Sequence, residues 1–202
     1  MSIALAIPVW NRVEFTKECL ETFTQYTNFD LVTKVIIYDN NSGKEMEELI
    51  TSFDYDYLTN SYNTAWAGFN DLLDKVLEDE SIDYIGKVDN DASFTQKWIE
   101  PIMTEFESRD KCGSIRYGFS GSNGSTSKLL VNGGYHGGLK IFRKSCARKV
   151  LKKGRFSGSE DTSSFIRKRG MTTDSMEVGV SMLTKKYPEL SKKYTSLKWQ
   201  RK

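Results

Sequence analysis

Residues 84–92 read Tyr84-Ile85-Gly86-Lys87-Val88-Asp89-Asn90-Asp91-Ala92, a short apolar run that ends in two carboxylates one residue apart. The run has the length and character of a buried strand. A turn needs one Asp or Asn to bond its own backbone, whereas two like charges at the mouth of a buried segment weaken each other. A hard cation such as Mg2+ or Mn2+, which takes oxygen ligands and bridges phosphates, explains the pair. The competing explanation is an ordinary polar turn. The segments on either side discriminate between the two, and they also set the fold.

Upstream, Trp66, Phe69, Leu72, Leu73, Val76 and Leu77 line one face of a predicted helix over Thr64–Leu77. Before it, Lys34–Tyr38 is a β-branched apolar strand that ends in the turn Asp39-Asn40-Asn41-Ser42-Gly43, followed by a short helix over Glu45–Thr51. The chain opens with a buried strand, Ile3–Ile7, stopped by Pro8, and an amphipathic helix over Glu14–Thr27 carrying Phe15, Cys19, Phe23 and Tyr26. Downstream, a helix runs from about Thr95 to Ser108 with Pro101 in its first turns. A strand near Ser114–Phe119, a Gly- and Ser-rich loop over Gly118–Ser127 and a strand over Gly138–Phe142 follow, then a basic helix to Lys153. A last helix covers Asp161–Arg169 and is closed by Gly170. Alternation of this kind makes an α/β protein with a mostly parallel sheet flanked by helices on both faces. No internal repeat or linker divides the chain.

In such sheets ligands bind at the carboxyl ends of the strands. Three polar clusters fall there: Pro8-Val9-Trp10-Asn11-Arg12, Asp39-Asn40-Asn41-Ser42-Gly43 and Asp89-Asn90-Asp91. Each alone reads as a turn; their shared edge points to a site. Neither GxxxxGK[ST] nor GxGxxG follows any strand, so a bound diphosphate must be neutralised by a metal and a basic side chain. Asp39 is placed to accept hydrogen bonds from a base or ribose, while Trp10 either stacks on that base or packs in the core.

Bulk properties narrow the class. A chain of 202 residues with 38% apolar and 12% aromatic side chains can bury a substantial core and is not a disordered sequence. No apolar run approaches the ~20 residues that span a bilayer, and the start MSIALAIPVWNR lacks the basic region and cleavage site of a signal peptide. Cys19, Cys112 and Cys146 are too few and too dispersed for a disulfide framework, which fits a reducing, cytoplasmic setting. His136 is the one histidine, and no paired Cys or His spacing suggests zinc.

In order along the chain, IPVWNR, YDNNSG, NTAWAGFN, VDND, GGLKIFRKS and GSEDTSSFIRKRG resemble the GT-A-fold glycosyltransferases of the large family-2 type, over about residues 3 to 175. The resemblance implies a single GT-A (Rossmann-like) domain over residues 1–180, a nucleotide-sugar donor such as a UDP-sugar, and Mn2+ or Mg2+ as cofactor; charge marks residues 181–202 as a basic tail. Carried over by position, Asp39 contacts the base, with Pro8, Trp10, Asn11, Arg12, Asn63 and Asn90 in the donor pocket. Asp89 sits near the ribose and the metal, and Asp91 ligates the metal. In the pair Glu160-Asp161, Asp161 is the general base of an inverting displacement; the other reading of that pair is simple stabilisation of a helix N-terminus. His136 and Arg167 lie toward the acceptor. The late histidine that many relatives give to the metal is absent here, and either Asp174 or water is the substitute expected. NTAWAGFN also lacks the glycine often found two residues after its Asn.

Charge is split along the chain. Residues 1–139 carry 11 basic and 22 acidic side chains, and residues 140–202 carry 18 and 5. A polyanionic partner for the C-terminal third is one explanation, and a match between oppositely charged faces of the protein is the other. The first leaves nucleic acid or an anionic membrane presenting a lipid-linked acceptor; a resemblance to some base-modifying glycosyltransferases makes DNA bearing a hydroxymethylated base the expected acceptor, with a saccharide or lipid-linked acceptor as the alternative. A nucleotidyltransferase would need a Gly-rich basic loop after the first strand, which IPVWNR is not. A non-catalytic nucleotide-sugar-binding module would have no need to keep Asp91 and Asp161, and both are present.

Overall fold

The alternating pattern becomes a seven-stranded sheet with helices on both faces. The computed structural model describes residues 1–59, 67–117, 138–147, 158–176 and 178–195. The chain begins β1 (Ile3–Val9), α1 (Val13–Tyr26), β2 (Val32–Asp39), α2 (Lys44–Thr51), β3 (Asp56–Thr59), α3 (Ala67–Val76) and β4 (Tyr84–Val88). It continues β5 (Ala92–Phe94), α4 (Ile99–Ser108), β6 (Cys112–Tyr117) and β7 (Leu139–Arg143). Last come α5 (Gly158–Lys168), β8 (Thr172–Met176), β9 (Val180–Met182), α6 (Leu183–Lys186) and α7 (Pro188–Thr195). The strand order is β3-β2-β1-β4-β7-β6-β8, and β5 pairs with β9 in a separate antiparallel ribbon. All neighbours in the large sheet run parallel except at β7, which is antiparallel to both β4 and β6.

Side-chain alternation along β1 separates two apolar layers. Ile3, Leu5, Ile7 and Val9 join a cluster with Cys19, Leu20 and Phe23 of α1, Met46 and Ile50 of α2, and Ile102 and Phe106 of α4. Ala4 and Ala6 point the other way, into a cluster with Phe69, Leu72, Leu73 and Val76 of α3 and Ile166 of α5. Small residues on that face let α3 lie close to the sheet. Gly68 takes this furthest, since a Cβ there would come within 2.5 Å of the Tyr38 Cβ.

Several boundaries differ from the sequence reading. β1 continues through Pro8 to Val9. Its ladder with β4 ends at Ala6↔Lys87, so the donor that proline lacks is not needed on that side. The ribbon strand β5 occupies residues expected to lead into a helix, and α4 therefore begins at Ile99, with Pro101 in its first turn. β8 reads Thr-Thr-Asp-Ser-Met, a buried strand whose composition carries no apolar signature. The basic helix expected after β7 is a single 3-10 turn over Lys144–Cys146, and the rest of that stretch lies outside the described residues, as does the loop over 118–127.

Residues 181–195, read as part of a basic tail, fold as the end of β9, α6 and α7. Leu183 is fully buried in a small cluster with Phe15 of α1, against which Leu190 packs. Lys186 bonds Glu18 at 2.6 Å and Lys193 bonds Glu14 at 2.8 Å. Among the described residues no helix is long and apolar enough to cross a membrane.

Candidate functional site at the carboxyl edge

The three polar clusters meet. β1, β2 and β4 lie side by side and parallel, so all three end at one edge. The Asn11 amide donates to Ser42 Oγ at 2.9 Å, and Ser42 in turn donates its amide to Asp39 at 3.0 Å and its hydroxyl to the same carboxylate. Asn40 donates both its amide and its side-chain Nδ2 to the Val9 carbonyl. Arg12 Nη1 reaches across to Asp91 Oδ2 at 2.8 Å, which ties the first cluster to the third. The loop backbone is strained here: Asn11, Arg12 and Asn41 have φ of 39°, 97° and 65°. Non-glycine residues hold such angles at a cost of order 1–3 kcal/mol each, and they collect at ligand sites.

The two carboxylates that raised the question play different parts. Asp89 accepts from the Lys87 ammonium through Oδ1 and from the Gly138 amide through Oδ2, at 2.9 Å for the latter. Its main chain is fixed as well, by bonds to Gly138 and Ala92. Asp91 is buried, and its carbonyl accepts from the Leu183 amide at 2.7 Å, so the β9–α6 junction supports the loop from behind. Asn90 is structural: its Nδ2 donates to Thr16 Oγ1 of α1 at 2.9 Å. Burial raises the Asp39 carboxyl above its ordinary value, and the bonds from Ser42 and Tyr57 offset only part of that. Burial also lowers the Lys87 ammonium to about 8, against the pull of Asp91.

Among the described residues no three His, Cys, Asp or Glu side chains converge to cage a metal. Both oxygens of Asp89 are engaged by protein donors, whereas Asp91 meets the described structure chiefly through Arg12. That donor set fits Mg2+ or Mn2+ held by a single protein carboxylate, since such ions keep several waters and bind substrate phosphates. Asp174 is not part of it. The side chain is fully buried in β8, paired with Arg109 at 2.8 Å and accepting from Thr172 Oγ1 at 2.9 Å. β8 is the edge strand, separated from β4 by β7 and β6. Asp174, named in place of the late histidine of the resembled family, thus lies beyond β7 and β6 from the loop after β4.

The remaining expected residues divide. Pro8 is a buried member of β1, and Trp10 is half-buried just beyond it. Glu160 and Asp161 fall in the first turn of α5, which runs toward the start of β8 and so begins nearer the carboxyl edge; their side chains lie outside the described residues. Arg167 is exposed in the last turn of that helix. Asn63 and His136 lie outside the described residues. Sequence reasoning passed over Lys87, Ser42 and Gly138. Lys87 did carry a signal, a lysine inside an otherwise apolar strand. The role of Gly138 arises only from strand pairing, as does the Asn11–Ser42 bond, whereas the bonds of Ser42 to Asp39 are local to the turn.

Comparison with known proteins places this geometry. The sequence model of glycosyl transferase family 2 matches residues 4–168. No curated protein matches the sequence. Solved structures share the fold at 11% identity. S. aureus TarS 1-349 in complex with UDP-GlcNAc superposes with a TM-score of 0.62 over 89% of this chain and 56% of its own. The mannosyltransferase PcManGT from Pyrobaculum calidifontis, in complex with GDP-Man and Mn2+, gives 0.61 over 87% and 54%. The chain thus spans a little over half the length of each. With its model matching most of the sequence, the chain belongs to glycosyl transferase family 2.

Proposed function

We propose that this protein is a metal-dependent, inverting glycosyltransferase that moves a sugar from a nucleotide-sugar, a UDP-sugar in the first instance, to an acceptor hydroxyl. The observation that carries the reading is the convergence of Asp39, Arg12 and Asp91 at the ends of three adjacent parallel strands, within a family-2 chain. Both ligand-bearing relatives hold nucleotide-sugars, one of them with Mn2+. Asp39 accepts hydrogen bonds from the base, and Arg12 turns from Asp91 toward the diphosphate when the donor binds. A divalent cation at Asp91 supplies charge neutralisation for the departing nucleoside diphosphate. Asp89, held by Lys87 and Gly138, fixes the loop and faces the ribose. Asp161 takes the acceptor proton as the acceptor oxygen attacks the anomeric carbon and the bond to the diphosphate oxygen breaks on the opposite face.

The test is donor binding by calorimetry across a nucleotide-sugar panel, with Mn2+ or with chelator. Asp91→Asn should fold normally and lose the metal-dependent part of donor affinity. Equal affinity of the wild type with metal and in chelator would overturn the metal reading.

For the acceptor, a hydroxymethylated base in DNA rests on the basic C-terminal third. Lys186 and Lys193 are already matched to α1 carboxylates, which favours a match between the protein's own faces for that part of the charge. Arg167, Lys168 and Arg169 remain exposed together at the end of α5, and they are the specific reason to keep DNA beside the saccharide and lipid-linked alternatives.

A further inference from the structure

Three cations lie side by side inside the sheet, directly below the site. Lys87 of β4 is paired in register with Lys140 of β7, and Lys140 with Arg116 of β6. Residues opposed in this way have Cβ atoms about 5 Å apart, and like charges so placed destabilise a sheet. All three are buried, with exposures of 6, 2 and 8%. Lys87 bonds Asp89, and Arg116 donates to Thr173 Oγ1 at 3.3 Å. The middle cation differs: the Lys140 ammonium has no hydrogen-bond partner among the described residues and sits 4.5 Å from the centroid of the Phe142 ring. Burial, with Arg116 and Lys87 on either side, holds it down to about 7. Well-packed apolar side chains would be at least as stable in such a place, so folding alone gives no reason for the row.

Its position gives one. Lys140 follows Gly138 by two residues, and Gly138 accepts the Asp89 amide through its carbonyl and donates its own amide to the Asp89 carboxylate. The row shares the sheet face of Ala6, Ile85 and Phe142, covered by α3 and by Ile166 of α5. Arg12, which pairs with Asp91, caps α1, and the buried residues of that helix pack on the other face. The cations therefore flank the site on the side from which α5 brings Asp161.

We propose that Lys140, with Lys87 and Arg116 beside it, binds a phosphate group carried by the acceptor, close to the hydroxyl that receives the sugar. Three cations in a row favour a multiply charged oxyanion over a single carboxylate. Only the word acceptor depends on the transferase reading; the oxyanion site stands without it.

Inorganic phosphate is the probe, titrated calorimetrically into the full chain with chelator and without donor, so that neither metal nor nucleotide-sugar enters. The wild type should bind it saturably and acetate more weakly. Lys140→Met, which removes a buried charge and nearly keeps the volume, should melt no lower than the wild type. It should bind phosphate roughly tenfold or more weakly, the factor carried by one charge-assisted hydrogen bond. Lys140→Gln serves if the Met variant does not fold. Absence of saturable binding by the wild type overturns the proposal, and means that the row is balanced within the chain. Binding that survives Lys140→Met and disappears with Arg12→Ala also overturns it, and assigns the phosphate to the donor pocket.

Discussion

Asp39 shows how one residue's surroundings set its chemistry. It ends β2 in a buried position, and burial lifts its carboxyl above the ordinary 3.8 despite the Ser42 and Tyr57 bonds. A folded-state value above the unfolded one means that folding takes up a proton, so the stability of the free protein rises as pH falls through the raised value toward 3.8. A base that donates to Asp39 needs the ionised form, so donor affinity moves in the opposite sense. It should weaken as pH falls through the raised value, in a range where an exposed Asp is still ionised. Calorimetry across the mildly acidic range should show this slope in the wild type, with weaker and flatter binding in Asp39→Asn. A flat wild-type profile would remove Asp39 from the base contact. The acidic residues of the site were legible because strand ends and turn residues can be read locally. Of their cationic partners Arg12 was legible in the first cluster, whereas the row behind Lys87 was not: that Lys87 lies across from Lys140 depends on register, which local pattern does not encode.

At the scale of elements, the strands that alternate with helices could be read because each is a short apolar run bounded by turn chemistry. Those that failed, β3, β5, β8 and β9, are polar or very short and are stabilised by pairing rather than by composition. The direction of β7 is likewise a matter of connection, since a strand of either direction presents the same pattern. α3 carries a sharper constraint. A methyl at Gly68 would meet Tyr38 Cβ at 2.5 Å and Cγ at 2.8 Å, and the first of these is fixed to the backbone of β2. Ala for Gly in a helix gains up to ~1 kcal/mol of propensity, whereas overpacking costs about 1–3 kcal/mol. Gly68→Ala should therefore lower the urea midpoint with little change in the slope of the transition. A raised midpoint would mean that α3 shifts freely over the sheet.

Over the whole molecule, the charge split is partly an internal matter. Lys186 and Lys193 face Glu18 and Glu14 across the packing of α6 and α7 on α1, and exposed pairs of this kind contribute little stability and screen easily. They have already given up their counterions to a protein partner and have little to offer a phosphate backbone. The exposed basic end of α5 is different. Arg167 donates its Nε to the Ser163 carbonyl at 3.3 Å, and Arg169 lies 5.4 Å from the centroid of the Phe165 ring, which orients both without neutralising either. If DNA is the acceptor, log affinity should fall linearly with log salt concentration, with a slope of about 0.9 for each phosphate contacted. Replacing Arg167, Lys168 and Arg169 together with Ala should flatten that slope, whereas Lys186→Ala with Lys193→Ala should leave it nearly as it was. The reverse ranking would place the nucleic-acid surface on α6 and α7. Failure of duplex and single-stranded DNA to bind at low salt would turn the acceptor search to saccharides and lipid-linked sugars.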